Sequence, residues 1–582
     1  MRSIKSCCLI ILLFTACNLS TNTVISDAYI EMPNPKPTNK ITWQKADPGI
    51  SVSFASPDIR YKKEALPELN IDSSWKGKGW RGEKIHTKIM IWTTDSFDAI
   101  SLKKGALKNN QGQNIPEENI SVNFIRYVMT DSIGRNGMGC GIESDLDSSL
   151  VEDAIDNVTS LALSANTSQP VWLSIRIPQD ATPGVYHGTI DLDGTKEELS
   201  LNYTIEVLDR TLPAPGEWKF HLDLWQNPFS IARVHNVKEW TEEHMSAMTP
   251  YMQMLANAGQ KVITTSIIHD PWNSQTFDVY KSMVKWVKKK DDTWAYDYSI
   301  FDKWVSYMMS LGIDKEINCY SMIPWNLKFF YYDETLGKDT FIIANPGTAA
   351  YVKHWKPMLV NFSEHLKKKG WFERTTIAMD ERPMEHMKLA LEIIHSADKD
   401  FKVSMAGNYH EEIERYLFDY CVASQFVLPD EVMNRRKKDG LITTYYTACP
   451  EEYPNVFTFS PPAEATFLGW YAAAKRFDGY LRWAYNSWPE KPLQDSRFGQ
   501  WSAGDTYFIY PEGRSSVRFE RLIEGIQAYE KINILMKEFN SRNLTSKTKE
   551  LQQVLQTFEI AKIKETGASE IVQAATESLN NF

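Results

Sequence analysis

The run Arg374-Thr375-Thr376-Ile377-Ala378-Met379-Asp380-Glu381-Arg382-Pro383 is apolar and rich in β-branched residues until it ends in two adjacent carboxylates. Pro383 then stops it from continuing as a paired strand. Upstream, Val352, Trp355, Leu359, Phe362 and Leu366 recur at helical spacing and share one face. Lys367-Lys368-Lys369-Gly370 closes that helix with basic residues at the negative end of its dipole and a glycine cap. Pro357 marks a candidate start for its regular part. A helix followed by a strand is one unit of a repeating pattern. Apolar runs near 219–225, 261–268, 316–322, 374–379, 401–406, 419–424, 441–446 and 479–485 alternate with helical stretches. Eight such units predict a (β/α)8, TIM-like barrel over 213–540, with active groups at the C-terminal ends of its strands. After about 515 the chain reads helical, and 541–582 is expected to form a C-terminal helical segment.

Residues 40–212 have a different texture. Ile85-His86-Thr87-Lys88-Ile89-Met90-Ile91-Trp92 and Leu201-Asn202-Tyr203-Thr204-Ile205-Glu206-Val207 alternate with period two between frequent turn signals, which predicts an N-terminal antiparallel β-sandwich. Pro170 to Ile177 and Tyr186 to Ile190 read as two strands joined by a Pro183-Gly184 turn, and Thr211-Leu212-Pro213-Ala214-Pro215-Gly216 as a linker. The expected fold class is therefore multidomain α/β with an all-β domain, a β-sandwich followed by a barrel.

At the N-terminus, Arg2 and Lys5 precede an apolar run from Leu9 to Phe14 that is too short to span a bilayer. Phe14-Thr15-Ala16-Cys17 resembles a bacterial lipobox. It implies a signal peptide over 1–16, lipidation of Cys17, a linker over 17–39, and attachment to the bacterial cell envelope through lipid alone. Which side of the membrane the anchor faces is left open. The 582 residues carry 64 basic against 74 acidic groups with no basic stripe, which argues against nucleic acid as a partner. Beyond the signal and Cys17, the cysteines are Cys140, Cys319, Cys421 and Cys449, none in a zinc spacing, and one disulfide among them is permitted. Gly77-Lys78-Gly79-Trp80-Arg81-Gly82 fits a dinucleotide fingerprint in letters only, since a β-alternating run rather than a helix follows it. With no GxSxG, HExxH, P-loop or EF-hand pattern, no metal and no cofactor are expected.

The chemistry rests on Asp380 and Glu381. In the plainer reading Asp380 caps a helix and Glu381 is solvated. Neighbouring strand residues point to opposite faces, so both carboxyls enter one pocket only if the chain bends at the strand end. Two protein carboxylates acting across a sugar normally stand about 5–5.5 Å or 6.5–9.5 Å apart on opposite sides of the bond. Two neighbours on one strand fit better with a substrate whose own 2-acetamido oxygen attacks the anomeric carbon. One carboxyl then protonates the leaving oxygen while the other steadies the acetamido group. Other strand ends supply aromatic and amide walls suited to a sugar: His269, Trp272, Tyr446, Asn455, Trp483, Tyr485, Asn486, Trp488 and Asp505. Arg482, inside its strand, reads as an ion-paired packing residue.

Asp380-Glu381, Trp80-Arg81-Gly82-Glu83, Tyr445-Tyr446-Thr447-Ala448-Cys449-Pro450, Gly479-Tyr480-Leu481-Arg482-Trp483 and Trp501-Ser502-Ala503-Gly504-Asp505 together resemble glycoside hydrolase family 123, bacterial β-N-acetylgalactosaminidases with a β-sandwich before a barrel. The resemblance implies that Asp380 orients the acetamido group and that Glu381 is the general acid and base. It implies an exo-acting, retaining glycosidase that releases terminal β-linked N-acetylgalactosamine from glycans or glycoconjugates. Two alternatives remain at this point. One is a non-catalytic surface glycan-binding lipoprotein, and the other is a glycosidase of the same fold with a different sugar.

Overall fold

The computed structural model describes residues 29–36, 40–131, 148–499 and 501–582. The signal segment, Cys17 and Cys140 lie outside them. Each of the eight predicted runs holds one strand: His221–Leu224, Val262–Ser266, Glu316–Tyr320, Thr375–Asp380, Lys402–Gly407, Asp419–Ala423, Ile442–Tyr446 and Gly479–Arg482. They are called the first to eighth strands below. All pair in parallel, the eighth returning to lie beside the first. Between the first and second strands the main-chain ladder is nearly absent, and glutamines complete the ring. The Gln260 Oε1 accepts from Leu224 N at 3.0 Å, the Gln226 Oε1 accepts from Thr264 N at 2.9 Å, and Lys261 N donates to the Leu222 carbonyl at 3.0 Å. The result is a nearly closed barrel of TIM-like form.

Helices follow most strands. The one read from its periodicity runs over Ala349–Lys369, capped by the Thr348 hydroxyl and by Gly370 in the left-handed region at φ 71°. It passes through Pro357 without restarting there, because its apolar face is anchored on both sides of the proline by Tyr351, Trp355, Leu359 and Phe362. Between the fifth and sixth strands only a 3-10 turn, Glu414–Tyr416, replaces the expected helix. A four-stranded sheet made from Lys285–Lys288, Trp294–Asp297, Lys328–Asp333 and Lys338–Ile343 is inserted around the third unit and was not anticipated.

The N-terminal part contains two sheets. One orders Ile50–Ala55, Lys84–Thr93, Thr167–Arg176, Ile120–Thr130 and Ser149–Ile155. The other is built on Ser74–Arg81, Leu199–Thr211, Gly184–Asp193, Phe97–Lys104 and Ser160–Leu163. Their facing residues, among them Ile89, Val171 and Leu173 from one sheet and Ile190, Tyr203 and Ile205 from the other, form one buried core. The strands on either side of Pro183-Gly184 are not partners: Thr167–Arg176 and Gly184–Asp193 belong to opposite sheets, so the turn carries the chain across the core. Gly77 and Gly79 sit inside a strand, where a Cβ would come within 2.7 Å of Trp75 and 2.8 Å of Ile177, so packing accounts for them.

The long helix Val517–Ser541 joins the two parts through buried charge. Arg518 pairs with Asp153 at 2.9 Å, Arg521 with Asp58 at 2.7 Å and Lys531 with Glu83 at 2.9 Å, while Gln527 both donates to and accepts from the Lys84 backbone at 2.8 Å. Arg518 also donates to the carbonyls of Val456, Gly504 and Tyr507. Removing one partner of such a pair strands the other charge in the interior. Arg518→Ala should therefore cost about 3–5 kcal/mol in urea unfolding, and Arg518→Ala with Asp153→Ala should recover part of that loss. A double-variant loss equal to the sum of the Arg518→Ala and Asp153→Ala losses would show that the pair itself carries no energy.

Candidate active site

At the C-terminal mouth of the barrel lies a cleft of about 840 Å³ lined by Asp380 and Glu381 among aromatic groups. The lining residues divide by strand. Trp225 follows the first strand, Trp272 and Gln275 the second, and Trp325 the third. Arg382 and Met384 follow the fourth, Asn408 and His410 the fifth, Tyr446 and Ala448 the seventh, and Trp483 and Trp501 the eighth.

The fourth strand solves the problem of adjacent carboxylates as follows. Thr376, Ala378 and Asp380 alternate toward the barrel interior, where Ala378 packs with Trp225, Trp272 and Tyr320. Asp380 is in register with Ala406 of the fifth strand, and the Glu381 amide continues the ladder by donating to the Ala406 carbonyl at 3.0 Å. Glu381 thus starts from the other face and reaches the cleft over Gly407. A Cβ at residue 407 would lie 2.6 Å from the Glu381 Cβ and 3.0 Å from its Oε2. The carboxylate is then held from the loop beyond. Asn408 N donates to Oε2 at 2.8 Å, Asn408 Nδ2 donates to Oε1 at 3.0 Å, and His410 Nε2 lies 3.1 Å from Oε1.

Asp380 occupies a drier setting. Burial raises its pKa from 3.8 to about 6, while the Arg382 guanidinium and, more weakly, the nearby Trp272 and Trp325 indoles pull it back. The Trp272 N–H lies close to the Asp380 carboxylate without completing a well-formed hydrogen bond to it. Trp272 stacks on Trp225 with ring centroids 4.8 Å apart. Arg382 is fixed in turn by donating to the Ile323 and Glu381 carbonyls and by lying 3.8 Å over the Trp325 ring, which is itself 54% exposed at the rim.

Of the residues expected at the site, Asp380, Glu381, Trp272, Tyr446 and Trp483 line the cleft together. Asn455 and Asp505 lie one layer behind it, fully buried. Asn455 accepts from Arg482 at 2.7 Å, and Asp505 is ion-paired with Arg482 and accepts from the Trp483 indole at 3.2 Å. They brace the eighth strand and its tryptophan, and do not themselves line the cleft. Four more expected residues lie away from the cleft altogether. His269 turns away and packs edge-on against Phe330 of the inserted sheet. Tyr485, Asn486 and Trp488 follow the eighth strand into the core, where their polar atoms are consumed by the Tyr251 carbonyl, the Asn227 backbone and the Ile509 carbonyl. A single chain cannot stay at the rim for six residues after a strand ends when its next turn must reach the core. Asn408, His410, Arg382, Gln275 and Trp501 were missed. The strand-end rule applied to the 401–406 run would have pointed to Asn408 and His410. Cys449 lines the cleft wall and is disulfide-bonded, whereas Cys319 and Cys421 are free and buried.

The family model described as the glycoside hydrolase 123 catalytic domain matches residues 225–535, and that of the glycoside hydrolase 123 N-terminal domain matches 54–194. The chain belongs to glycoside hydrolase family 123. A family 123 enzyme from Clostridium perfringens, described in a structural analysis of glycolipid glycan hydrolysis, is 28% identical. It aligns over 92% of this chain and 99% of its own with a TM-score of 0.83. A β-glucuronidase from Bacteroides uniformis aligns over 83% of this chain and 51% of its own at 11% identity and a TM-score of 0.27, too low to bear on fold or function. Comparison with curated proteins returned no match. The protein is accordingly a glycoside hydrolase.

Two expectations follow for the family 123 site. Gly407→Ala should push Glu381 off its clamp and lower kcat by at least ~10²-fold while the fold persists, as read by steady-state kinetics beside a circular dichroism melt. Unchanged kcat would mean that the Glu381 placement tolerates the added methyl group. The folded pKa of Asp380 lies above its unfolded value, so its contribution to stability is complete below about pH 4 and lost as pH rises through about 6. Asp380→Asn should therefore stabilise the protein at pH 8 by ~1–2 kcal/mol, short of the ~3 kcal/mol worth of the full shift because the cleft mouth is open to solvent, and do little at pH 4. Urea unfolding at the two pH values decides, and an equal gain at both would refute burial as the cause.

Proposed function

We propose that this protein is an exo-acting, retaining glycosidase that releases terminal β-linked N-acetylgalactosamine by substrate-assisted catalysis. The observation that carries the reading is the inventory of the cleft. Asp380 and Glu381 are the only carboxylates among its described lining residues, and both come from one strand end. Among the described lining residues no third acid stands across the cleft to attack the far face of a sugar, and an acetamido oxygen supplied by the substrate removes the need for one.

In this reading Glu381, held at both oxygens, gives its proton to the glycosidic oxygen as the bond to the anomeric carbon breaks. The acetamido carbonyl oxygen closes on that carbon from the other side, forming an oxazolinium ring whose nitrogen side gains positive charge. Asp380, ionised and poorly hydrated, accepts from the acetamido N–H and balances that charge at short range, where the low dielectric strengthens it. The Tyr446 hydroxyl, whose pKa is pushed up chiefly by burial, stays protonated and is available as a donor to the acetamido oxygen. Glu381 then takes a proton from water, which opens the ring from the face the leaving group vacated, and configuration is retained. Trp225, Trp272 and Trp483 supply apolar faces for the ring.

The reading of the N-terminus as a lipoprotein signal places this activity at the cell envelope, anchored through Cys17. Glycolipid glycans, hydrolysed by the Clostridium perfringens relative, are one fitting class of carrier. We read the N-terminal two-sheet unit as a β-sandwich that buttresses the barrel, since its polar contacts run to the Val517–Ser541 helix rather than to the cleft.

The decisive experiment compares chromogenic β-GalNAc, β-GlcNAc and β-galactoside substrates with the wild type, Glu381→Gln and Asp380→Asn. Cleavage of the first substrate is expected, with losses of ~10³-fold or more in either variant and an acid limb of kcat/KM near pH 6 that vanishes in Asp380→Asn. Turnover of the galactoside would refute substrate assistance. Binding without turnover on all three would favour a glycan-binding role.

A further inference from the structure

The opposite end of the barrel holds a second cluster of titratable groups that the reaction does not use. His221, Glu316 and Asp419 are the first residues of the first, third and sixth strands, so they meet inside the barrel at its N-terminal end. Their donor atoms all lie within 4.8 Å of one another. His221 Nε2 is 3.6 Å from Glu316 Oε2 and 3.5 Å from Asp419 Oδ2. Those separations are long for hydrogen bonds. They match the roughly 3.3–3.6 Å edge between neighbouring donors of a tetrahedral ion bound at about 2.0–2.2 Å.

The polar bookkeeping points the same way. His221 Nε2, Glu316 Oε2 and Asp419 Oδ1 have no hydrogen-bond partner among the described residues, and neither carboxylate oxygen of Asp223 has one. Asp223 stands two residues along from His221 and therefore on the same interior face. The four residues are between 1% and 7% exposed. No lysine or arginine pairs with any of the three carboxylates among the described residues. Three buried acids facing one imidazole demand neutralisation, since uncompensated charge is not tolerated there. Threonine and serine hydroxyls already occupy the neighbouring positions: Thr376 donates to Glu316 Oε1, and Ser404 to Asn318 Oδ1. The Thr376 bond orients Glu316 while leaving its inward Oε2 free, and the Ser404 hydroxyl is spent on Asn318.

We propose that His221, Glu316 and Asp419, with the Asp223 carboxylate adding negative charge nearby, bind a divalent transition-metal ion of the Zn²⁺ or Mn²⁺ class that ties three strands together across the barrel. One imidazole nitrogen with carboxylate oxygens is a donor set such ions favour. The ion is structural, because it sits at the end of the barrel away from the cleft. The His221 and Asp419 side chains keep 9% and 6% exposure at the N-terminal opening, which gives an ion and a chelator a way in.

The test is elemental analysis of the full-length protein after desalting, after chelation, and after reloading with Zn²⁺, Mn²⁺ or Ca²⁺ alone, each sample paired with a thermal melt. About one equivalent of Zn²⁺ or Mn²⁺ is expected, with a melting temperature several degrees lower after chelation and restored by reloading. His221→Gln and Asp419→Asn should each lower occupancy at least tenfold. A wild type that takes up less than ~0.1 equivalent of either ion and melts at the same temperature with and without it overturns the proposal, and protons shared within the cluster would then be the neutralising charge. The wild-type measurement alone decides if a variant fails to fold. Preference for Ca²⁺ would overturn the assignment of ion class.

Discussion

One backbone hydrogen bond governs the catalytic end of this molecule: the Glu381 amide donating to the Ala406 carbonyl. It extends the parallel ladder one residue beyond Asp380, so successive carboxylates leave the strand on opposite faces. Asp380 enters the barrel mouth directly, while Glu381 must arrive over the fifth strand. That path exists because residue 407 has no side chain, and it is closed off behind by Asn408 and His410. The two acids consequently live in different media. Glu381 is about a third exposed and saturated with donors, a setting for a group that must exchange protons with solvent. Asp380 is dry and under-donated, a setting for a group whose charge is to be felt at short range.

Holding that geometry requires a barrel that does not breathe at the strands concerned, and buried charge supplies much of the constraint. Arg482 in the eighth strand donates to Thr447, Asn455 and Asp505, locking the seventh and eighth strand ends to the loops that carry Trp483 and Trp501. Behind it, Arg518 binds the carbonyls of Val456, Gly504 and Tyr507 from the helix that also grips the N-terminal sheets through Asp153. A continuous set of ion pairs and carbonyl contacts thus runs from the N-terminal part to the tryptophan wall. Buried pairs of this kind contribute little net stability but punish any other arrangement, so they select one relative placement of the two parts.

How much of this was legible in the sequence varies by physical cause. All eight barrel strands were readable because parallel strands covered on both faces are continuous apolar runs, and Asp380-Glu381 stood out because carboxylates are rare at the end of such a run. The two N-terminal sheets were readable from period two, but not the partners of each strand: nothing local tells a hairpin from a crossover, so the Pro183-Gly184 turn was readable as a turn but not as a passage between sheets. The wall residues fared unevenly for the same reason. Proximity to a strand end says that a side chain is near the mouth, whereas its direction depends on where the chain goes next. Tyr485, Asn486 and Trp488 lead into the core, and their amide and ring N–H groups are spent there. Asn408 and His410 directly follow the fifth strand, where the strand-end rule points, and their part in the site comes from holding Glu381.

The two ends of the barrel show the same problem handled in two ways. Carboxylates inside a ring of parallel strands lose hydration, and something must replace it. At the mouth that replacement is incomplete around Asp380, whose charge costs stability. At the base, Glu316, Asp419 and Asp223 face one imidazole with their inward oxygens unpartnered, and no substrate can reach them across the packed layers of Asn318, Thr376 and Ser404. An unmet electrostatic demand at a wide cleft suits a transient ligand, whereas the same demand among nearly buried groups at the base suits a resident one. Because the residues at both ends come from the same short strands, with Glu316 beginning the third and Asp380 ending the fourth, tightening the base limits how far the mouth can shift.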